Sequence, residues 1–240
     1  MTVGRAVEGI RHRAESYESL AVMGGAIALA AYSYASLPDR LVSVHSNTFT
    51  AIRWASPALW VLFFASILVV IPPRGIEPLV APLEARPIWR RAGTILIWLF
   101  GLAQLWVIGL LVHFLLHKQV TNNGTELIHI AARIEGTTIV IGSFAFWLMD
   151  KGGPIARQEG LAHEPDFLWP QTENPQIAPK NWAPSYLDYL YVSFTNAVAF
   201  SPTDVMPLTA RMKMVMMVEA GASAITVILV AARAVNILAA

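Results

Sequence analysis

The chain has 240 residues, of which 55% are hydrophobic and 14% charged, against about 25% charged in soluble domains. A formal net charge of +1 argues against a nucleic-acid surface, and the absence of cysteine excludes disulfides, iron–sulfur clusters and thiol catalysis. What remains is a set of long apolar runs with the charge held between them, the pattern of an all-α, multi-pass integral membrane protein whose first partner is the lipid bilayer.

Residues 1–19 read as a basic, amphipathic lead-in containing Arg5, Arg11 and Arg13, without a signal-peptide pattern. The first span, 20–37, is rich in Gly and Ala, which lets helices approach closely in lipid; Pro38 stops it. The second, 54–71, closes at Pro72 and Pro73, and the third, 93–116, carries Trp98 and Trp106. Together they make a three-helix bundle over 20–117. The fourth span, 127–149, ends at Asp150-Lys151-Gly152-Gly153-Pro154, and a long Pro-rich loop, 151–185, follows. Segment 186–200 is apolar and aromatic but reaches only about 22 Å as a helix, less than a hydrocarbon core of about 30 Å. It is expected to enter the membrane and turn back, with a turn at 201–209 and a last span at 212–238. Backbone in such a turn survives in a bilayer only if it is buried in protein or lines a water-filled cavity. The expectation is five spans plus one re-entrant helix; the alternative is a sixth crossing by 186–200. By the positive-inside rule the N-terminus and the Arg-rich loop with Arg74, Arg86, Arg90 and Arg91 lie in the cytoplasm. Counting on from there, the loop 151–185 is cytoplasmic too.

Within the C-terminal stretch, Tyr191, Ser193 and Phe194 precede Asp204, Pro207, Arg211, Glu219 and the Ala232-Arg233 pair in a gap-free register. In this the stretch resembles the pore module of bacterial two-helix potassium-type channels. The resemblance implies an outer helix (127–149), a pore-type helix (186–200) and an inner helix (212–238), together a pore-loop module over 127–240. It also implies a homotetramer in the bacterial inner (cell) membrane, with inorganic cations as partners. It would place the loop on the face opposite to the one the arginines indicate. The same residues, Ser193-Phe194-Thr195, Phe200 and Thr203-Asp204, also resemble a bacterial membrane-protein family of unknown function, which implies no activity. At the filter the chain departs from the channel pattern: Ala199, Phe200, Ser201, Pro202 and Thr203 stand where the channels have T-V-G-Y-G. A potassium filter aligns backbone carbonyls to replace the ion's hydration shell. Its glycines permit conformations that Ser and Thr disfavour and that Pro, with φ near −65°, cannot reach. Potassium selectivity is therefore not carried over. The bland reading of Ser201 to Asp204 is a helix cap and turn.

Three charges are expected inside the membrane: Glu219 in the last span, and Arg133 and Glu135 in the fourth. Such residues are costly in lipid and mark functional sites or structural ion pairs, and Arg133 is placed to pair with either glutamate. His113 and His117, at i and i+4, share a helix face that suits metal ligands, but no third ligand stands near them and interfacial histidines explain them as well. No metal, no cofactor and no enzymatic activity is expected from these motifs.

Overall fold

The computed structural model describes residues 20–33, 35–36, 57–65, 67–68, 87–116, 124–154, 164–176, 178–180, 182–201 and 204–238. Its helices are α1 (Leu20–Ser33), α2 (57–65), α3 (Pro87–Leu116), α4 (Gly124–Met149), α5 (Tyr186–Val198) and α6 (Ala210–Leu238). Among the described residues α3, α4 and α6 are long and apolar enough to cross a membrane. The molecule is thus a helical, membrane-associated protein. The described part of α1 is a shorter apolar helix, and of the span expected at 54–71 the described residues, 57–65 and 67–68, are helical.

Helix α3 begins six residues before the span read from hydropathy. Pro87 suits a first helical position, where its missing N–H has no partner to lose, and the charges of Arg90 and Arg91 interrupt the apolar run, so an apolar count starts only after them. Helix α5 ends at Val198, where the Ala199 N–H still closes on the Thr195 carbonyl at 2.9 Å. Its start is a capping box: Asp188 reaches back to the Ser185 N–H at 2.7 Å.

Helix α4 is the element on which α3, α5 and α6 all pack. Its end is abrupt. Lys151, Gly152 and Gly153 take φ of 53°, 79° and 92°, a run of left-handed backbone that glycine tolerates best. At Gly153 a Cβ would also stand 2.7 Å from the Leu148 carbonyl oxygen. This turn leaves Asp150 facing inward and fully buried.

The loop expected at 151–185 is partly ordered by pairing. Strand β1 (Phe167–Leu168) and a one-turn helix, Pro170–Glu173, lie within it. Strand β1 pairs antiparallel with β2 (Met206–Pro207), Phe167 opposite Pro207 and Leu168 opposite Met206. The chain that leaves α5 therefore comes back beside the chain that leads into it.

Two apolar clusters fill the interior. The first is aromatic: Trp60 of α2 stacks on Phe100 of α3 at 4.1 Å, Phe63 meets Phe144 of α4 edge-on at 4.8 Å, and Phe144 contacts Tyr186 of α5 at 4.6 Å. Offset-stacked and edge-on rings at these spacings add to plain area burial. The second cluster joins Ile108, Leu111 and Leu115 of α3 to Leu127, Ile130 and Ile134 of α4 and to Ala222, Val230 and Ala234 of α6.

Candidate functional site

Between the two clusters each long helix changes character. Gln104 on α3, Thr138 on α4, and Glu219, Ser223 and Thr226 on α6 are all buried and polar. A buried polar group is costly unless it is hydrogen-bonded, and most of this layer is satisfied. Gln104 Nε2 donates to the Ile134 carbonyl at 2.8 Å and to Thr138 Oγ1 at 2.9 Å, and Thr226 donates to the Ala222 carbonyl.

The centre of the layer is the Glu219 carboxyl, 5% exposed. Two side chains of α5 hold it. Asn196 Nδ2 donates to Glu219 Oε2 at 2.7 Å and to the Met216 carbonyl at 3.0 Å. Ser193 Oγ contacts Glu219 Oε1 and also the Ile139 carbonyl of α4, the latter at 2.7 Å. Ser193 and Asn196 are i and i+3, so one face of α5 presents both. Opposite them α4 offers Gly142, where a Cβ would stand 1.9 Å from Glu219 Oε1 and 2.7 Å from Ser193 Oγ. The missing side chain makes the space for the carboxyl. Beyond Glu219 a cavity of about 250 Å³ opens between α3, α4 and α6, lined mostly by apolar side chains such as Trp98, Leu102, Leu105 and Ile141, with Gln104, Thr138 and Glu219 also in its lining.

A second polar cluster ties the loops to the helix ends. Asp150 Oδ2 accepts from the Tyr189 hydroxyl at 2.7 Å, and Oδ1 accepts from the Asp166 N–H at 3.0 Å. Asp166, itself fully buried, takes Arg211 in a two-point contact, Nε to Oδ1 at 2.8 Å and Nη2 to Oδ2 at 2.6 Å. Thr209 Oγ1 donates to Asp166 Oδ1, and the Leu208 N–H donates to the Asp166 carbonyl at 2.8 Å. Burial by itself would raise the Asp166 carboxyl. The hydrogen bonds from Arg211 and Thr209, the Arg211 charge and the Lys151 N–H outweigh it and hold the group below its ordinary value.

The residues singled out in the sequence do not form one site. Ala199, Phe200, Ser201 and Asp204 are exposed at the tip beyond α5, while Pro202 and Thr203 lie outside the described residues. Phe200 adopts φ of 54°, a left-handed conformation that a bulky side chain rarely takes. Arg133 does not pair with either glutamate; its Nη1 donates to the Ser36 carbonyl of the segment after α1. Both oxygens of Glu135 and Ser223 Oγ are buried side by side, and none makes a hydrogen bond of standard geometry among the described residues. His113 is exposed on α3, and His117 lies outside the described residues.

Sequence reasoning missed Gly142, Asn196, Asp150 and Asp166. For Asn196 a signal existed, since a polar pair at i and i+3 in a short apolar helix marks a face that needs partners. Asp166 sits in a loop with nothing local to distinguish it. No family model, curated protein or solved structure matches the chain.

Proposed function

We propose that the chain is the protomer of a pore-loop, ion-channel-like membrane protein, with a cation pathway that lacks standard potassium selectivity. One observation carries the reading. The first turn of α5 and the chain that follows the helix are held at the same end of α4: Tyr189 on Asp150, and β2 on β1 with Arg211 on Asp166, whose N–H donates to Asp150. A helix of 13 residues, tethered so, enters and returns rather than crosses. In this reading α4 is the outer helix, α5 the pore-type helix and α6 the inner helix. Spans at 20–37 and 54–71 complete five crossings in a bacterial cell membrane.

An apolar stripe on α5, Leu187, Tyr191, Phe194 and Val198, is exposed at i, i+4, i+7 and i+11, and Met214, Met217 and Val218 are exposed on α6. In a membrane such a face is covered either by lipid or by further copies; a pore built from one re-entrant loop per chain requires a ring, here a homotetramer. The exposed Asp204 beyond the tip would then form an acidic ring that favours cations.

The test is the mass of the detergent-solubilised protein followed by planar-bilayer recording. A tetramer with cation currents that lose cation preference in Asp204→Asn is the expected outcome. A monomer sinks the reading. A second reading, a non-conducting membrane subunit or scaffold of the same topology, is favoured by the glycine-free stretch from Ala199 to Thr203. A silent tetramer across varied ions would select it.

A further inference from the structure

The Glu219 site contains one contact more than it has hydrogens. Asn196 offers two N–H groups, and both are used, on Met216 O and Glu219 Oε2. Ser193 offers one O–H, yet its Oγ lies within hydrogen-bond distance of two acceptors, the Ile139 carbonyl and Glu219 Oε1. Two acceptors cannot share that hydrogen at full strength. The set closes if Oε1 carries a proton: the Glu219 O–H donates to Ser193 Oγ, and Ser193 donates to Ile139 O.

Glu135 supplies the counterpart. It stands on α4 seven residues before Gly142, so the helix face that meets the Glu219 carboxyl also carries Glu135, two turns away. Both of its oxygens are buried, and neither makes a hydrogen bond of standard geometry among the described residues. Ser223, 0% exposed, lies beside it and is its nearest polar neighbour among the described residues, its hydroxyl short of standard hydrogen-bond geometry. Ser223 is i+4 from Glu219, so one face of α6 presents the carboxyl and the hydroxyl in successive turns. The other groups facing Glu219 bring no charge: α5 supplies Ser193 and Asn196, α4 supplies Gly142, and α3 faces the cavity with Gln104 and apolar side chains.

We infer that Glu219 and Glu135 form a proton-binding pair between the two apolar clusters, with the proton on Glu219 in the arrangement described. Transfer to Glu135 breaks the Glu219 O–H bond and forms one O–H bond on Glu135, so the negative charge passes to Glu219. Ser193 then turns its hydrogen from Ile139 O to the new carboxylate, and the protonated Glu135 has Ser223 Oγ beside it as an acceptor. Glu219 is therefore the donor and Glu135 the acceptor of one proton, with Ser193 and Ser223 as positioning residues.

The test is infrared spectroscopy of the purified full chain in detergent, in H2O and D2O at neutral pH. The wild type is expected to show the C=O stretch of a protonated carboxyl, displaced in D2O, lost in Glu219→Gln and retained in Glu135→Gln. Glutamine has an N–H to give Ser193 in place of the acid O–H, so Glu219→Gln is expected to fold. Ser193→Ala removes the acceptor and is expected to shift the band; it serves independently if the glutamine variant does not fold. In Glu135→Gln the pH at which the band bleaches is expected to move. A wild type without the band, a band unchanged in Glu219→Gln, or a band unmoved in Ser193→Ala overturns the protonated Glu219. A bleaching pH unmoved in Glu135→Gln overturns the pair. None of these spectra depends on conduction.

Discussion

The Glu219 carboxyl of α6 fills the place that a side chain on Gly142 of α4 would take. An added Cβ on the glycine would lie 1.9 Å from Oε1 and 2.6 Å from the carboxyl carbon. No rotation of a buried carboxyl held by Ser193 and Asn196 relieves that overlap without breaking its hydrogen bonds. Gly142→Ala is therefore expected to destabilise the protein by about 1–3 kcal/mol, the usual cost of overpacking, read from thermal unfolding in detergent. In a Glu219→Ala background the carboxyl is gone, and the same substitution is expected to cost far less than its single-mutant value, since residues in contact do not add. Additive losses would place the clash elsewhere.

The Asp166–Arg211 contact is unequal. Asp166 is fully buried, whereas half of the Arg211 side chain remains exposed. Removing the arginine strands a buried carboxylate, at a cost of about 3 kcal/mol. Removing the carboxylate leaves a cation that water can reach, and Asp166→Asn is expected to cost about 1–2 kcal/mol. The order Arg211→Ala worse than Asp166→Asn is the checkable point, by denaturant titration of both variants; the reverse order would mean that the aspartate is not held as described.

The same contact has a pH signature. The Asp166 carboxyl lies below its ordinary value in the folded protein, so the unfolded chain takes up a proton first as the pH falls. The stability contributed by this group is whole above the unfolded aspartate value, about 3.9, and is lost as the pH drops through the lower folded value. Melting temperature followed downward from pH 6 is expected to fall less steeply below about pH 4 in Asp166→Asn than in the wild type. Parallel curves would remove Asp166 from the acid response.

Tyr189 holds the inward-facing Asp150 at the end of α4. Tyr189→Phe keeps the ring against Trp169, a contact at 5.2 Å, and deletes only the hydroxyl. A loss of about 1–2 kcal/mol is expected, with faster amide exchange in the Asp166 to Thr209 region because Asp150 also anchors the Asp166 N–H. Unchanged exchange there would mean that Tyr189 and the loop pairing are independent.

The chain contains no cysteine, so single introduced cysteines report sidedness without background. Glu173 precedes α5 and Leu208 follows it, and both are exposed. Cysteines at the two positions are expected to react with an impermeant maleimide from one side of the membrane in oriented vesicles. Labelling from opposite sides would make α5 a crossing and end the pore-loop reading.

Hydropathy and composition were enough to place α3, α4 and α6, because burial in lipid demands long uninterrupted apolar runs and that demand is local to each segment. Helix α5 was legible as a short apolar segment, expected over 186–200; the structure ends it at Val198 and supplies the Ser185 cap that the sequence reading did not identify. Glu219 stood out as an isolated charge in an apolar run. Its surroundings did not. That Ser193 and Asn196 face it, that Gly142 makes room for it, and that Arg133 turns to Ser36 rather than to either glutamate depend on how three helices rotate about one another. That rotation is set by packing summed over the whole interface and leaves no mark in any one segment. The pairing of Asp166 with Arg211 joins residues 45 positions apart. It exists only because the chain beyond α5 returns to the end of α4, which is a property of the tertiary structure alone.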